Sequence, residues 1–201
     1  MKHATVFGVL ALLSAAAFSA ATVGQPAPVF SALDTAGKTV SLADFKGQHV
    51  VLEWVNPGCP FVVKHYGSQN MQGTQKVATG KGVVWLTINS TAAEHADYLK
   101  PAALAQWMQG HKAAASATLM DSDGSVGKAY GARTTPHMYL IDPKGLLVYA
   151  GAIDSKATAN RADISTATNH VKAALADTLA GKTVAVASTP PYGCSVKYSG
   201  M

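Results

Sequence analysis

The chain has 201 residues, a net charge of +5 and only two cysteines, Cys59 and Cys194. Its positive charges are scattered without a Lys/Arg run, which excludes a nucleic-acid footprint and leaves an ordinary solvated surface. Two cysteines cannot staple a small disulfide scaffold, and they lie too far apart in sequence for a zinc-type pair.

Met1-Lys2-His3 is a short basic start, Val6 to Phe18 is apolar or small, and Ser19-Ala20-Ala21 is a small-x-small site. This pattern predicts a secretory signal over residues 1–21, cleaved after Ala21. The apolar run is shorter than the roughly 20 residues that span a bilayer. A periplasmic or secreted protein without stable membrane insertion is expected, in a compartment where disulfides persist. Residues 22–181 are expected to form one domain, and 182–201 a tail carrying Cys194.

Val23 to Phe30 is a Pro-rich lead-in, and Asp34-Thr35-Ala36-Gly37 is a turn between two short strands within Ser31 to Val40. Ser41 to Phe45 reads as a helical turn. His49 to Val55 (HVVLEWV) is an apolar strand suited to burial on both faces. Pro60, after the loop Asn56-Pro57-Gly58-Cys59, opens a helix expected to reach Ala78, weakened by Gly67 and Gly73. Val83 to Asn89 is a second buried strand. Leu104, Trp107, Met108 and His111 mark a helix begun by Pro101. Ala117 to Met120 reads as a strand and Gly124 to Tyr130 as a short helix. His137 to Ile141 and Leu146 to Ala150 form a hairpin around Asp142-Pro143-Lys144-Gly145, a type I turn. Ile164 to Leu179 is expected to be a closing helix, stopped by Gly181. The tail from Lys182 shows no clear element and reads as flexible. Parallel βαβ followed by a hairpin and a helix predicts a three-layer α/β sandwich, its mixed sheet flanked by helices.

Three places carry chemistry. Cys59 lies between a buried strand and a helix start, where unpaired N–H groups and the helix dipole favour an anion. A thiolate so placed has its pKa lowered from about 8.5 into the ~3.5–7.5 range. Glu53 lies inside the buried strand, where desolvation raises a carboxyl pKa and suits it to exchange protons; pointing to solvent from an edge strand is the alternative. Thr135-Pro136 begins a strand, and a cis bond there would turn neighbouring backbone toward the thiol.

The stretch VGQPAPVFSALDTAGKTVSLADFKGQHVVLEW resembles the opening of the thioredoxin-like redoxins. Within that group, Asn56 to Val62 falls where thioredoxins carry Cys-x-x-Cys, and TTPHMYLIDPKG resembles their cis-proline strand-turn-strand. Glu53 matches the buried acid six residues before the first cysteine. The nearest likeness is to alkyl hydroperoxide reductase/thiol-specific antioxidant-like redoxins, a peroxiredoxin-like subgroup with Cys-Pro-Phe-Val in this loop. The resemblance implies a thioredoxin-like sandwich and a thiol oxidoreductase with an antioxidant or disulfide-handling role. It needs no organic cofactor or metal and acts on a thiol/disulfide protein partner or a peroxide. The implied site comprises Cys59, Glu53 and possible resolver Cys194, with Pro60, Thr135 and Pro136 facing the substrate.

Departures from the pattern carry weight. Val62 replaces the second thioredoxin cysteine, which removes a local disulfide and the proton acceptor that Glu53 would serve. Leu52 and Asn56 stand where peroxiredoxins carry Pro and Thr, so that loop offers no hydroxyl to a peroxide. Arg133 does not fall where peroxiredoxins place their arginine. Cys194, in Pro191-Tyr192-Gly193-Cys194, is either a resolving thiol or half of a permanent bridge to Cys59. Lys64 and His65 are expected on a solvated helix face. Two other readings stay open: a non-catalytic domain with a structural Cys59–Cys194 bridge, and a copper-handling protein using Cys59, His137 and Met138.

Overall fold

The computed structural model describes residues 20–200. The expected signal segment therefore lies almost wholly outside the described residues. Ala21 is inside them, and its N–H donates to the Ala129 carbonyl at 3.1 Å.

Among the described residues nine strands and five α-helices follow in order. Strands β1 (Ser31–Asp34) and β2 (Thr39–Ser41) form the first hairpin. Ser41 then caps a 3₁₀ turn, Leu42–Phe45, in a reciprocal box with Asp44. Next come β3 (Val50–Trp54), α1 (Pro60–Gly67), α2 (Asn70–Thr79) and β4 (Val84–Asn89). After α3 (Pro101–Gly110), β5 (Ala117–Met120) and α4 (Ser125–Tyr130) come β6 (Thr134–Thr135), β7 (His137–Ile141) and β8 (Leu147–Gly151). A 3₁₀ turn, Arg161–Thr166, leads to α5 (His170–Leu179), and β9 (Cys194–Ser195) lies in the tail.

The main sheet runs β2-β1-β5-β4-β3-β7-β8. Strands β3, β4 and β5 are parallel, while β7, β8, β1 and β2 pair antiparallel. Every residue of β3, β4 and β7 is buried, as continuous apolar runs require. One core lies on each face. Val51, Val62, Trp85, Leu140 and Val171 belong to one, Leu52, Trp54, Leu86, Tyr139 and Leu147 to the other. Each such aliphatic side chain contributes roughly 1.5–3 kcal/mol by leaving water. The expected turn forms between β7 and β8, its Gly145 N–H donating to the Asp142 carbonyl at 2.9 Å.

The structure corrects three expectations. The helix expected from Pro60 to Ala78 is two helices. It breaks after Gly67, where a methyl group would overlap the Arg161 guanidinium, and Gln69 takes a left-handed φ of 60°. The closing helix begins at His170, because Asn169 caps it by accepting from the Lys172 N–H and Ala167 is extended. The tail does contain an element: β9 pairs antiparallel with β6.

Candidate active site

Cys59 is delivered by a tight turn between β3 and α1. Pro57 and Pro60 have no N–H, so few local donors are available. Asn56 organises the turn instead. Its side-chain oxygen accepts from the Gly58 N–H at 2.8 Å, and its carbonyl accepts from the Cys59 N–H at 3.0 Å. Its amide donates to Asp97 at 3.2 Å. Pro60 is exposed at the first helical position, where a missing N–H costs nothing. Cys59 is the N-cap residue, extended at φ −77° and ψ 123°.

The thiol is almost enclosed, at 2% exposure. It donates to the Thr135 carbonyl at 3.0 Å, beside the cis Thr135–Pro136 peptide. Thr135 pairs directly with Cys194 across β6 and β9, which brings the second thiol against the first. Both cysteines are free thiols. Gly193 permits this approach: its φ is 140°, and a methyl group there would overlap the Thr135 carbonyl.

The two thiols differ in acidity. Burial pushes the Cys59 thiol up, but the donors that surround its sulfur, the Cys194 and Thr135 side chains and the Val62 and Cys194 N–H groups, favour the thiolate more and hold it below its ordinary value. Val62 lies in the first turn of α1, so its N–H is one the helix leaves free. The Thr135 hydroxyl is buried without a partner while the thiol is protonated, which leaves it available to the thiolate. Cys194 is pushed up to about 12, first by burial and then by its neighbour Cys59. The two shifts run in opposite directions and make Cys59 the more acidic thiol of the pair.

The tail is tied down on both sides of Cys194, contrary to the expected flexible segment. Thr189 N–H donates to the Ala150 carbonyl at 3.2 Å, Val196 N–H to Arg133 at 3.0 Å, and Tyr198 hydroxyl to Ala132 at 2.7 Å.

Glu53 is fully buried, so the solvent-facing alternative is excluded. Tyr66 donates to one carboxyl oxygen at 2.8 Å. The other accepts from Trp85 at 2.8 Å, Gln75 at 3.0 Å and Thr87 at 3.2 Å. Burial raises its pKa against the pull of these donors. None of its hydrogen-bond partners is a cysteine, so the structure does not join Glu53 to the thiol pair.

Lys64 and His65 are not solvated; they are 1% and 0% exposed. Lys64 donates to the Lys156 carbonyl at 2.8 Å and lies 3.8 Å from Asp154, itself 2% exposed. His65 Nε2 is 3.9 Å from Asp154 and 3.0 Å from the Tyr192 hydroxyl, which donates to Asp154 at 2.5 Å. Tyr192 and Asp154 escaped the sequence reading. The position of Tyr192, two residues before Cys194, was the one available signal.

His137 and Met138 are buried in the sheet. His137 Nδ1 accepts from the Arg133 N–H at 3.3 Å and is 3.1 Å from the Tyr139 hydroxyl. Among the described residues no three His, Cys, Asp or Glu side chains are grouped to hold a metal ion, and the copper-handling reading gains no support from the geometry.

A βαβ core joined to an antiparallel hairpin, with a cysteine capping the first helix opposite a cis-proline, defines a thioredoxin-like protein. The AhpC/TSA family model matches residues 23–150, more than half of the chain, and the protein belongs to that family. Two similar solved structures are a hypothetical protein from Sinorhizobium meliloti 1021 and an uncharacterized conserved protein from Geobacillus kaustophilus. The first is 26% identical, covers 91% of this chain and 98% of its own, and has a TM-score of 0.76. The second is 27% identical, covers 90% and 94%, and has the same TM-score, 0.76. The thioredoxin domain of a thiol-disulfide oxidoreductase from Bacteroides vulgatus shares the fold at 22% identity and a TM-score of 0.52, covering 72% of this chain and 96% of its own. No curated protein matches the sequence.

Proposed function

We propose that this protein is an exported thiol–disulfide oxidoreductase in which Cys59 is the nucleophile and Cys194 the resolving thiol. The observation that carries the reading is the asymmetric pair: two free thiols brought together at Thr135, which pairs with Cys194 and accepts from Cys59, one lowered in pKa and the other raised to about 12. The Cys59 thiolate attacks one sulfur of a substrate disulfide. The substrate S–S bond breaks, and its departing thiolate takes up a proton. Cys194 loses its proton and attacks the Cys59 sulfur of the mixed disulfide, expelling the second substrate thiolate. Two electrons have passed to the substrate, and the Cys59–Cys194 disulfide awaits reduction by a partner thiol protein. Pro60, Thr135 and Pro136 line the approach, and the Thr135 hydroxyl stabilises the thiolate. The four donors around Glu53 support a structural role for it rather than proton exchange.

Incubation with glutathione disulfide tests the roles. Cys194→Ser should accumulate a stable mixed disulfide on Cys59, and Cys59→Ser should accumulate none on Cys194. The reverse pattern would exchange the two assignments.

A second reading, a binding domain with a permanent Cys59–Cys194 bridge, draws on the 2% exposure of Cys59. On the oxidoreductase reading the Cys194 strand must shift to admit a bulky disulfide. A bridge that resists mild reduction would favour the binding domain.

A further inference from the structure

The catalytic reading uses the two thiols and leaves unexplained a polar chain beside them, in which His65 and Asp154 are buried and Asn70 and Tyr192 half-buried. Asn70 Nδ2 lies 2.8 Å from His65 Nδ1. An amide nitrogen only donates, so Nδ1 accepts, and the neutral imidazole carries its proton on Nε2. Nε2 therefore donates to the Tyr192 oxygen at 3.0 Å, and the single Tyr192 proton goes to Asp154 at 2.5 Å. Asp154 also accepts from the Lys156 N–H at 2.9 Å, and its second oxygen is buried without a hydrogen bond, 3.8 Å from the Lys64 ammonium. The Tyr192 ring meets Phe61 edge-on at 5.7 Å and lies 5.5 Å from that ammonium. Phe61, Lys64 and His65 all belong to α1, the helix that Cys59 caps.

We propose that Tyr192 is a positioning residue for the redox pair: anchored to Asp154 and α1, it holds the strand two residues later so that Cys194 stays against Cys59. The inference rests on the oxidoreductase reading above. The β6–β9 pairing spans only two residues on each strand, and of the tail's other bonds those of Val196 and Tyr198 follow Cys194 while those of Thr189 lie five residues before it, so Tyr192 is the nearest anchor on the N-terminal side. Ordering one thiol beside another raises its effective concentration, which favours closing the bond without a new contact at sulfur. A hydroxyl donating to a buried carboxylate is a charge-assisted hydrogen bond, among the stronger single restraints a side chain supplies.

The test equilibrates the full chain with glutathione redox buffers and counts Cys59–Cys194 linked peptides by mass spectrometry. It compares wild type with Tyr192→Phe and with Tyr130→Phe, whose hydroxyl bonds the Pro28 carbonyl at 2.8 Å elsewhere in the fold. Tyr192→Phe should lower the equilibrium constant for bond formation roughly tenfold, ~1.4 kcal/mol. It should also speed Cys59 alkylation in the reduced protein several-fold, while Tyr130→Phe changes neither beyond about twofold. If Tyr192→Phe matches wild type in both readouts, or Tyr130→Phe shifts them equally, the positioning role is overturned. If wild type forms no Cys59–Cys194 bond, the oxidoreductase reading falls instead, and the alkylation rates still decide whether Tyr192 holds the strand.

Discussion

Glu53 and Asp154 are both buried, and they are partnered in opposite ways. Glu53 lies mid-sheet on β3 with both oxygens bonded, and all four donors are neutral side chains of α1, α2 and β4. Asp154 follows β8, keeps one oxygen without a hydrogen bond, and has two potential cations, Lys64 and His65, within 4 Å. An unpartnered buried carboxylate is costly. Each is therefore held by its surroundings, but those surroundings join different parts. The Glu53 donors stitch the core together, whereas Asp154 joins the tail to the helix that Cys59 caps. Proximity in sequence to Cys59 is thus a poorer guide to a carboxylate's role than the elements its donors come from.

The largest effect should come from Glu53→Ala, which strands four buried donors and costs on the order of 4 kcal/mol in urea unfolding. Its Cys59 alkylation rate per folded molecule should stay within about twofold of wild type; a large drop would return Glu53 to the redox machinery. Asp154→Asn should cost less, about 2 kcal/mol, because the amide still accepts from Tyr192 and only the charge is lost. Unlike the Glu53 variant, it should weaken the Cys59–Cys194 bond in glutathione buffer.

Acid separates the same two regions by sign. Burial raises the Glu53 pKa, so its contribution is whole below the ordinary 4.5 and declines as pH rises above that value. Burial lowers His65 to about 4, so its contribution is whole above 6.5 and is lost as pH falls from 6.5 to 4. His137, lowered to about 3 by burial and by Arg133, acts in the same direction as His65. Urea midpoints between pH 4.5 and 6.5 should rise more steeply with pH in Glu53→Gln than in wild type, and less steeply in His65→Gln. Equal slopes would break the contrast. The smallest effect is expected at the thiol itself. Thr135→Val should raise the Cys59 pKa by about one unit, ~1.4 kcal/mol, and Thr135→Ser should restore it, as read by pH-dependent alkylation.

The elbow was legible because backbone rules write it locally: an apolar strand, two prolines and a cysteine leave little choice about where a helix begins. The hairpin and cis-proline strand were legible for similar reasons. The tail was not, because β9 is two residues long and forms only where the left-handed φ of Gly193 lets its backbone meet Thr135. Lys64 and His65 read as surface residues because Asp154 and Tyr192, which make their burial tolerable, are about 90 and 130 positions away in a chain without periodicity there. A hydroxyl, absent at Asn56, is present beside the sulfur at Thr135, a residue the sequence marked as facing the substrate and not as a donor to the thiolate.

The most direct test of the redox pair is its reduction potential, measured by glutathione titration of the full chain with the linked peptide identified by mass spectrometry. A reversible Cys59–Cys194 bond with a potential above about −300 mV is the predicted result. A potential well below that marks a permanent structural bridge, and failure to form the bond at all would contradict the pairing of the two thiols.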